Sequence, residues 1–352
     1  IKTALDVVQR ISLVKIMDLS GTFIGARMGR PEKAKMRALK GSPEVLFPVG
    51  TEGGRLRSFE EASNVGYVTC EIPKFYCEKC KKEVLFGICD TCFQPTKQMY
   101  YCPICKEWSL EKECERHGER KVYGPQKIEI KELYNTWIKN LGVGKPEILK
   151  GVRGTSSKNH VPEHFAKGIL RAKSKIAVNK DGTIRYDVSE VPLTHFKPKE
   201  IRTSVKKLKE LGYTNDIYGN LLLDEDQILE IKPQDIILPS IKEGFEEGAD
   251  MILLRVCNFI DLLLEKLYHL KPFYEIKSKE DLIGQLVLGM APHISCGMVG
   301  RIIGFSETQG LFCSPMFHAA LRRDCDGDEA CLLMLMDAFL NFSKEYMPDK
   351  RG

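Results

Sequence analysis

The chain has 352 residues, 43% of them hydrophobic, and a formal net charge of +5. That length predicts two or three domains with ordinary buried cores, and the absence of any run of about eighteen apolar residues excludes a membrane-spanning helix. The small net charge excludes little by itself, so its distribution carries the information.

Short apolar runs (Val45–Val49, Tyr67–Ile72) with glycine punctuation predict a compact β-rich domain over residues 1–74. The chain begins with Ile and shows no signal peptide, as expected for an excerpt of a longer protein. Within this first region, Gly25-Ala-Arg-Met-Gly-Arg-Pro-Glu-Lys-Ala-Lys-Met-Arg37 stands out. From Arg27 to Lys40 there are six basic residues (Arg27, Arg30, Lys33, Lys35, Arg37, Lys40) against one acid, Glu32. Gly29 and Pro31 prevent a continuous helix, so the basic side chains are expected on a loop leading into a short helix. Charge of that density beside glycines suits contact with phosphates; a solvated surface loop is the plainer alternative.

Residues 75–120 hold an internal repeat. Cys77, Cys80, Cys89 and Cys92 become Cys102, Cys105, Cys114 and His117 at a constant offset of 25. Each unit reads C-x2-C-x8-C-x2-(C/H), and two such knuckles complete a tetrahedron around Zn²⁺. The repeat favours two sequential structural ribbons; the interleaved alternative joins Cys77/Cys80 to Cys102/Cys105. So short and polar a segment needs metal to fold. Six further cysteines (Cys70, Cys257, Cys296, Cys313, Cys325, Cys331) lie outside ligand spacing. Thiolates reserved for zinc imply a reducing cytoplasm.

Residues 121–245 read as a mixed α/β connecting region. Lys131–Leu141 is expected to be helical, Lys175–Asp187 to form a hairpin about Asp181-Gly182, and Pro198–Leu211 to be an amphipathic helix. Asp224–Leu238 carries apolar Ile228, Leu229, Ile231, Ile236 and Ile237 and is divided by Pro233. His160, His164 and His195 are taken as structural or surface residues. In residues 246–352, Met251–Leu270 predicts a helix, Met298–Phe305 and Gly310–Phe317 short strands, and Ala330–Tyr346 a buried helix.

Between the last two elements lies Asp324-Cys-Asp-Gly-Asp328. Three carboxylates at i, i+2 and i+4, with Gly327 to let the backbone bend, can converge on a cation. Hard oxygen donors suit Mg²⁺. An EF-hand is excluded: counted from Asp324, the place of its bidentate Glu holds Leu335. Arg322 and Arg323, immediately upstream, are also unlike a purely acidic Ca²⁺ loop, and His318 lies just before them. A surface acidic turn is the alternative.

The pentad, preceded by Phe317-His-Ala-Ala-Leu-Arg-Arg323, closely resembles the catalytic motif of the large subunit of archaeal family D DNA polymerase. Ile24-Gly-Ala-Arg-Met-Gly-Arg-Pro-Glu-Lys-Ala-Lys35 is similar to that family's other signature. Glu210-Leu-Gly-Tyr-Thr-Asn-Asp-Ile-Tyr-Gly219, Leu288-Gly-Met-Ala-Pro-His-Ile-Ser295 and Val299-Gly-Arg-Ile-Ile-Gly-Phe305 match it too, so the resemblance runs from about residue 20 to the end.

The resemblance implies an α+β fold with two double-psi β-barrels forming an RNA-polymerase-like catalytic centre, with zinc-ribbon and helical insertions. The first barrel would supply the basic loop and the second, within residues 246–352, the aspartates. It implies a DNA-directed DNA polymerase catalytic core that extends a primer 3′-hydroxyl by a two-Mg²⁺ mechanism. Asp326 and Asp328, with Asp324, would be catalytic metal ligands. Arg30, Lys33, Lys35, Arg37, Arg322 and Arg323 would meet phosphates of the nucleotide or of the primer-template. Implied partners are primer-template DNA, deoxynucleotides and a small proofreading-nuclease subunit, with a sliding clamp as a further candidate and no membrane. Two departures matter: the family motif usually has Asn where this chain has Asp324, and the acid often found after Glu329 is Ala330 here. Asp324 raises one rival, an RNA-synthesising two-barrel polymerase; a non-catalytic zinc-ribbon DNA-binding scaffold is the other.

Overall fold

The structure, a computed structural model, describes residues 3–13, 39–92, 94–240, 247–291, 296–325 and 327–349. The segment from Gly25 to Arg37, the Pro292–Ser295 half of the Leu288–Ser295 motif and Asp326 therefore lie outside the described residues. The chain gathers into two compact units: Ile1–Lys35, Asp187–Asp250 and Glu280–Cys331 form one, and Met36–Tyr186, Met251–Lys279 and Leu332–Gly352 form the other.

The first unit is organised by a closed six-stranded barrel. Its strands follow the order Tyr186–Pro192, Leu311–Cys313, Asp235–Pro239, Met298–Ser306, Leu286–Met290 and Glu329–Met334. Parallel pairing (Tyr186–Pro192 with Leu311–Cys313, Asp235–Pro239 with Met298–Ser306) alternates with antiparallel pairing. Every residue of Asp235–Pro239 is buried, as is all of Glu329–Met334 except Glu329. Such strands lack polar alternation because both faces are covered. One face fills the barrel; on the other, Ile237, Ile303 and Phe312 pack against Leu193, Phe196, Ile201 and Leu208. The register slips between Ile236 and Ile237, opposite Gly304. A Cβ at Gly304 would stand 2.6 Å from the Ile201 carbonyl oxygen, so only glycine admits the covering segment there. At one end of the barrel, Asp235 accepts two bonds from Arg301 at 2.8 Å and one from the Tyr213 hydroxyl at 2.5 Å, which neutralises a buried carboxylate.

The second unit is built on helices and aromatic packing. Helix Ile130–Leu141 buries Ile130, Tyr134, Trp137 and Leu141, one face at helical spacing, and stops at left-handed Gly142. Helix Phe165–Ser174 buries Phe165 against Phe47, Phe59 and Tyr134. At its centre Arg171 and Glu163, both with fully buried side chains, form a bidentate pair of 2.7 and 2.8 Å. Arg171 also donates to the Gly182 and Glu44 carbonyls, and Glu163 accepts the Leu46 amide. Strands Val68–Pro73 and Tyr123–Ile128 pair antiparallel, from Val68 opposite Ile128 to Pro73 opposite Tyr123. The cysteine-rich segment is thus an excursion from a two-stranded stem.

Several local expectations are corrected. Residues Val45–Val49 form no strand, only a bridge from Pro48 to Val152, and the described part of residues 1–74 holds two helices and one strand. A tight turn does exist at Asp181-Gly182, closed by Gly182 N to the Asn179 carbonyl, but no hairpin flanks it. Its neighbours bond elsewhere: Val178 N to the Pro43 carbonyl, Ile184 N to the Asp337 carboxylate. Pro198–Leu211 breaks at left-handed Arg202 into a 3₁₀ turn and helix Val205–Glu210. Gly310–Phe317 is strand only at Leu311–Cys313, because Ser314 caps a helix that Pro315 opens. Ala330–Tyr346 is first a barrel strand and then helix Leu335–Asn341. Among the described residues there is one closed barrel, and no helix is long and apolar enough to cross a membrane.

Candidate active site and metal centres

The aspartate loop leaves helix Pro315–Ala320 and enters strand Glu329–Met334. Its backbone is left-handed at Arg322 (φ 59°), Cys325 (φ 63°) and Gly327 (φ 92°). For two non-glycine residues this is an uncommon conformation, which the surroundings must enforce. The enforcement is visible. Arg323 N donates to the His318 carbonyl at 3.0 Å, and Glu190 N donates to the Asp328 carbonyl at 2.9 Å. Arg323 Nη1 then reaches Asp328 Oδ2 at 3.0 Å and Nη2 the Glu329 carbonyl, joining the two stems of the loop.

Asp324 and Arg322 are exposed, and the Asp328 side chain is 40% exposed. Solvent-facing carboxylates of this kind fit a hydrated Mg²⁺, which keeps several waters and takes one or two carboxylates. The third aspartate, Asp326, lies outside the described residues, as do Arg30, Lys33, Lys35 and Arg37. Arg323, expected at phosphates, is committed to Asp328.

Sequence reasoning gave no role to the polar residues behind this loop. His318 Nδ1 lies 2.7 Å from Glu190 Oε2, both side chains being fully buried, and His318 Nε2 lies 3.1 Å from Cys313 Sγ. Burial pushes the Cys313 thiol well above its ordinary range. His318 stood within the family word and could have been flagged; Glu190 carried no local signal.

The cysteine repeat folds as two separate clusters. Cys77, Cys80, Cys89 and Cys92 converge in one, and Cys102, Cys105, Cys114 and His117 in the other, with all ligand atoms of a set within 4.8 Å of one another. That geometry matches sequential ribbons and leaves no interleaved set. Four ligands about 2.3 Å from a zinc ion stand roughly 3.8 Å apart. The observed separations agree: 3.5 Å for Cys77–Cys92, 3.9 Å for Cys80–Cys89 and 3.8 Å for Cys105–Cys114. In the second cluster the inward atom of His117 is Nδ1, 3.2 Å from Cys105 Sγ. The knuckle amides of Cys80 and Cys105 point at Cys77 and Cys102 sulfur.

Crowding divides the thiols. The Cys92 thiol beside it, and then burial, push Cys80 up to about 12. Backbone amides, that of Arg116 first, hold Cys114 at about 6. A cation at the centre would let all of them ionise together. The donor set fits Zn²⁺, closed and without an open position, hence structural. All thirteen cysteines are free of disulfides.

The first cluster is also docked. Phe75, Cys77, Val84 and Cys89 pack with Val161, and the Phe86 ring lies 4.8 Å from the His164 ring. His164 caps helix Phe165–Ser174 through Nδ1 and stacks edge-on to Trp137 at 4.6 Å. The second ribbon meets the stem where Gly124 leaves room for Tyr101 and Trp108; a Cβ there would stand 2.5 Å from the Tyr101 ring.

Comparison with known proteins connects these features. The profile of the DNA polymerase II large subunit DP2 catalytic domain matches residues 142–352, which contain the barrel and the aspartate loop, and that of the DP2 central domain matches residues 1–111. The chain belongs to the family of archaeal DNA polymerase II large subunits. The DNA polymerase II large subunit of Archaeoglobus fulgidus is 48% identical over 361 residues, covering 100% of this chain and 31% of that protein. That of Nanoarchaeum equitans is 45% identical, covering 99% of this chain and 31% of the relative. That of Pyrococcus furiosus is 44% identical, covering 99% and 28%. The chain therefore spans about a third of the length of the large subunits it matches.

Proposed function

We propose that this chain is the polymerising core of a DNA-directed DNA polymerase, extending a primer 3′-hydroxyl with deoxynucleotides on a DNA template. The carrying observation is the aspartate loop itself: alternating carboxylates held on a left-handed backbone between a helix and a barrel wall, within the stretch similar to the family's catalytic domain. Asp324, Asp326 and Asp328 would hold Mg²⁺, which when bound activates the primer hydroxyl and neutralises charge on the leaving pyrophosphate. The protein's own part is placement. Arg323 sets the direction of the Asp328 carboxylate and shields it from its neighbours. Arg322, exposed beside Asp324, is free to meet a phosphate, and Arg30, Lys33, Lys35 and Arg37 would answer it from the basic loop. The six-stranded barrel is read as one of two double-psi barrels. The two cysteine clusters would each hold a structural Zn²⁺. In the complete protein the partners would be primer-template DNA and a small proofreading-nuclease subunit.

The test uses the complete large subunit with its small subunit. Asp328→Ala and Asp326→Ala proteins should bind primer-template normally and fail to extend it; extension near the unaltered rate by either would sink the assignment. Lys35→Ala should weaken nucleotide use more than duplex binding.

A further inference from the structure

A fully buried carboxylate on a barrel strand and a fully buried imidazole on the helix against it are costly, and well-packed apolar residues would be at least as stable there. Their arrangement is ordered nonetheless. Cys313 Sγ lies 3.1 Å from His318 Nε2, and burial pushes its thiol well above the ordinary range. On its other side His318 Nδ1 stands 2.7 Å from Glu190 Oε2, an ion-pair contact in which neither Glu190 oxygen is aligned to accept a hydrogen bond. All three groups lie in the barrel unit and have no solvent exposure, so none can touch a substrate.

Where the two ends of this contact sit is the informative point. His318 belongs to the helix whose end carries the loop, and its own carbonyl accepts the Arg323 amide. Glu190 belongs to the barrel strand whose amide, at Glu190 itself, holds the Asp328 carbonyl. One residue therefore anchors the start of the aspartate loop by its backbone, the other anchors the end, and their side chains are joined. The loop between them is left-handed at three positions and would relax if its ends were free to separate.

We infer that the Glu190–His318 pair is a positioning device that sets the spacing of the two ends of the aspartate loop and so fixes the carboxylates that would hold Mg²⁺. The inference rests on the metal-loop reading above. Groups that hold metal ligands in place commonly matter about 10–100-fold in metal affinity or activity, and a misplacement of about 1 Å at a reacting centre can cost on the order of a hundredfold in rate.

The experiment uses the complete large subunit with its small subunit, measuring primer extension as a function of Mg²⁺ alone and of nucleotide, alongside duplex affinity. His318→Leu should lower kcat by about 10–100-fold and raise the Mg²⁺ needed for half-maximal extension by about tenfold, with nucleotide KM and duplex affinity within about twofold. His318→Gln, which keeps a donor toward Glu190, should recover most of both losses. Should the leucine variant not fold, Glu190→Gln carries the test, since it keeps shape but weakens the contact; it should raise the Mg²⁺ requirement at least about threefold. Unchanged Mg²⁺ dependence in folded variants overturns the inference. So does a parallel fall in rate, nucleotide use and duplex affinity that glutamine at position 318 does not relieve, because that pattern marks the fold alone. Asp328→Ala separates the two levels: if it still extends primers the metal-loop reading has failed, whereas an inactive Asp328→Ala with a silent His318→Leu refutes only the positioning role.

Discussion

His164 offers a prediction that can be worked from the structure to a number. Its ring is held between Phe86 of the first ribbon and Trp137, and its Nδ1 accepts the Ala166 amide to cap a helix. Burial first, and then the nearby Lys167 ammonium, lower its pKa from 6.5 to about 4. In the unfolded chain the imidazole binds its proton near pH 6.5; in the folded chain it resists until about pH 4. The unfolded state therefore holds more protons between those values, so stability is complete above pH 6.5 and falls as the pH drops toward 4. Carried from about pH 7.5 to about pH 5, the His164 contribution declines by about 2 kcal/mol. The chain has two tryptophans, and replacing Trp108 by Phe leaves Trp137, in contact with His164, as the reporter. Urea unfolding followed by Trp137 emission, at both pH values, would be compared with the same protein carrying His164→Asn, which can still cap the helix. Thiol ligands protonate in acid in both proteins, so only the difference between them counts. The histidine protein should lose about 2 kcal/mol more than the asparagine protein. Parallel losses would refute the reasoning.

Two further outcomes follow from buried charge and from metal. Glu163→Ala strands the fully buried Arg171 guanidinium and should cost about 3–5 kcal/mol in unfolding free energy. The double replacement Glu163→Leu/Arg171→Met should cost less than that single change, and a larger loss in the double variant would count against the ion-pair account. Metal analysis of the purified protein should find two zinc ions per chain, and removal by a chelator should alter Trp108 emission through the second ribbon and Trp137 emission through the Phe86–His164 contact. Absence of zinc, or spectra indifferent to chelation, would remove the structural-metal reading.

What was legible in the sequence was whatever depended on short spacing. The two cysteine clusters were readable because ligand chemistry and knuckle geometry are local, and the constant offset even favoured the sequential pairing that the sulfur positions bear out. Helix Ile130–Leu141 was readable because Ile130, Tyr134, Trp137 and Leu141 repeat at helical intervals on a half-covered surface. The barrel strands were legible only in part: the expected strand Met298–Phe305 falls on Met298–Ser306, but the last strand was missed. Leu332 and Leu333 read as part of the face of a buried helix because a strand covered on both sides shows no alternation, and a continuous apolar run has no period to betray it. The turn at Asp181-Gly182 was correctly located, yet its neighbours found partners at Pro43 and Asp337, which no local rule could name.

The same division runs through the candidate site. The aspartates announce themselves because three carboxylates in five residues are chemically unusual, and the loop that bears them is local. What holds the loop in its left-handed path is not local: the Glu190 amide on Asp328, the Arg323 guanidinium across the stems, and the imidazole–carboxylate contact at their roots. Glu190 lies in strand Tyr186–Pro192, whose residues carry no local motif, and it is buried against His318 of a helix more than a hundred residues away in sequence. The chemistry of this chain is written in neighbouring residues and its precision in distant ones. Substitutions that spare all three aspartates but loosen Glu190 or His318 should therefore reveal more about how the site works than removal of the aspartates themselves.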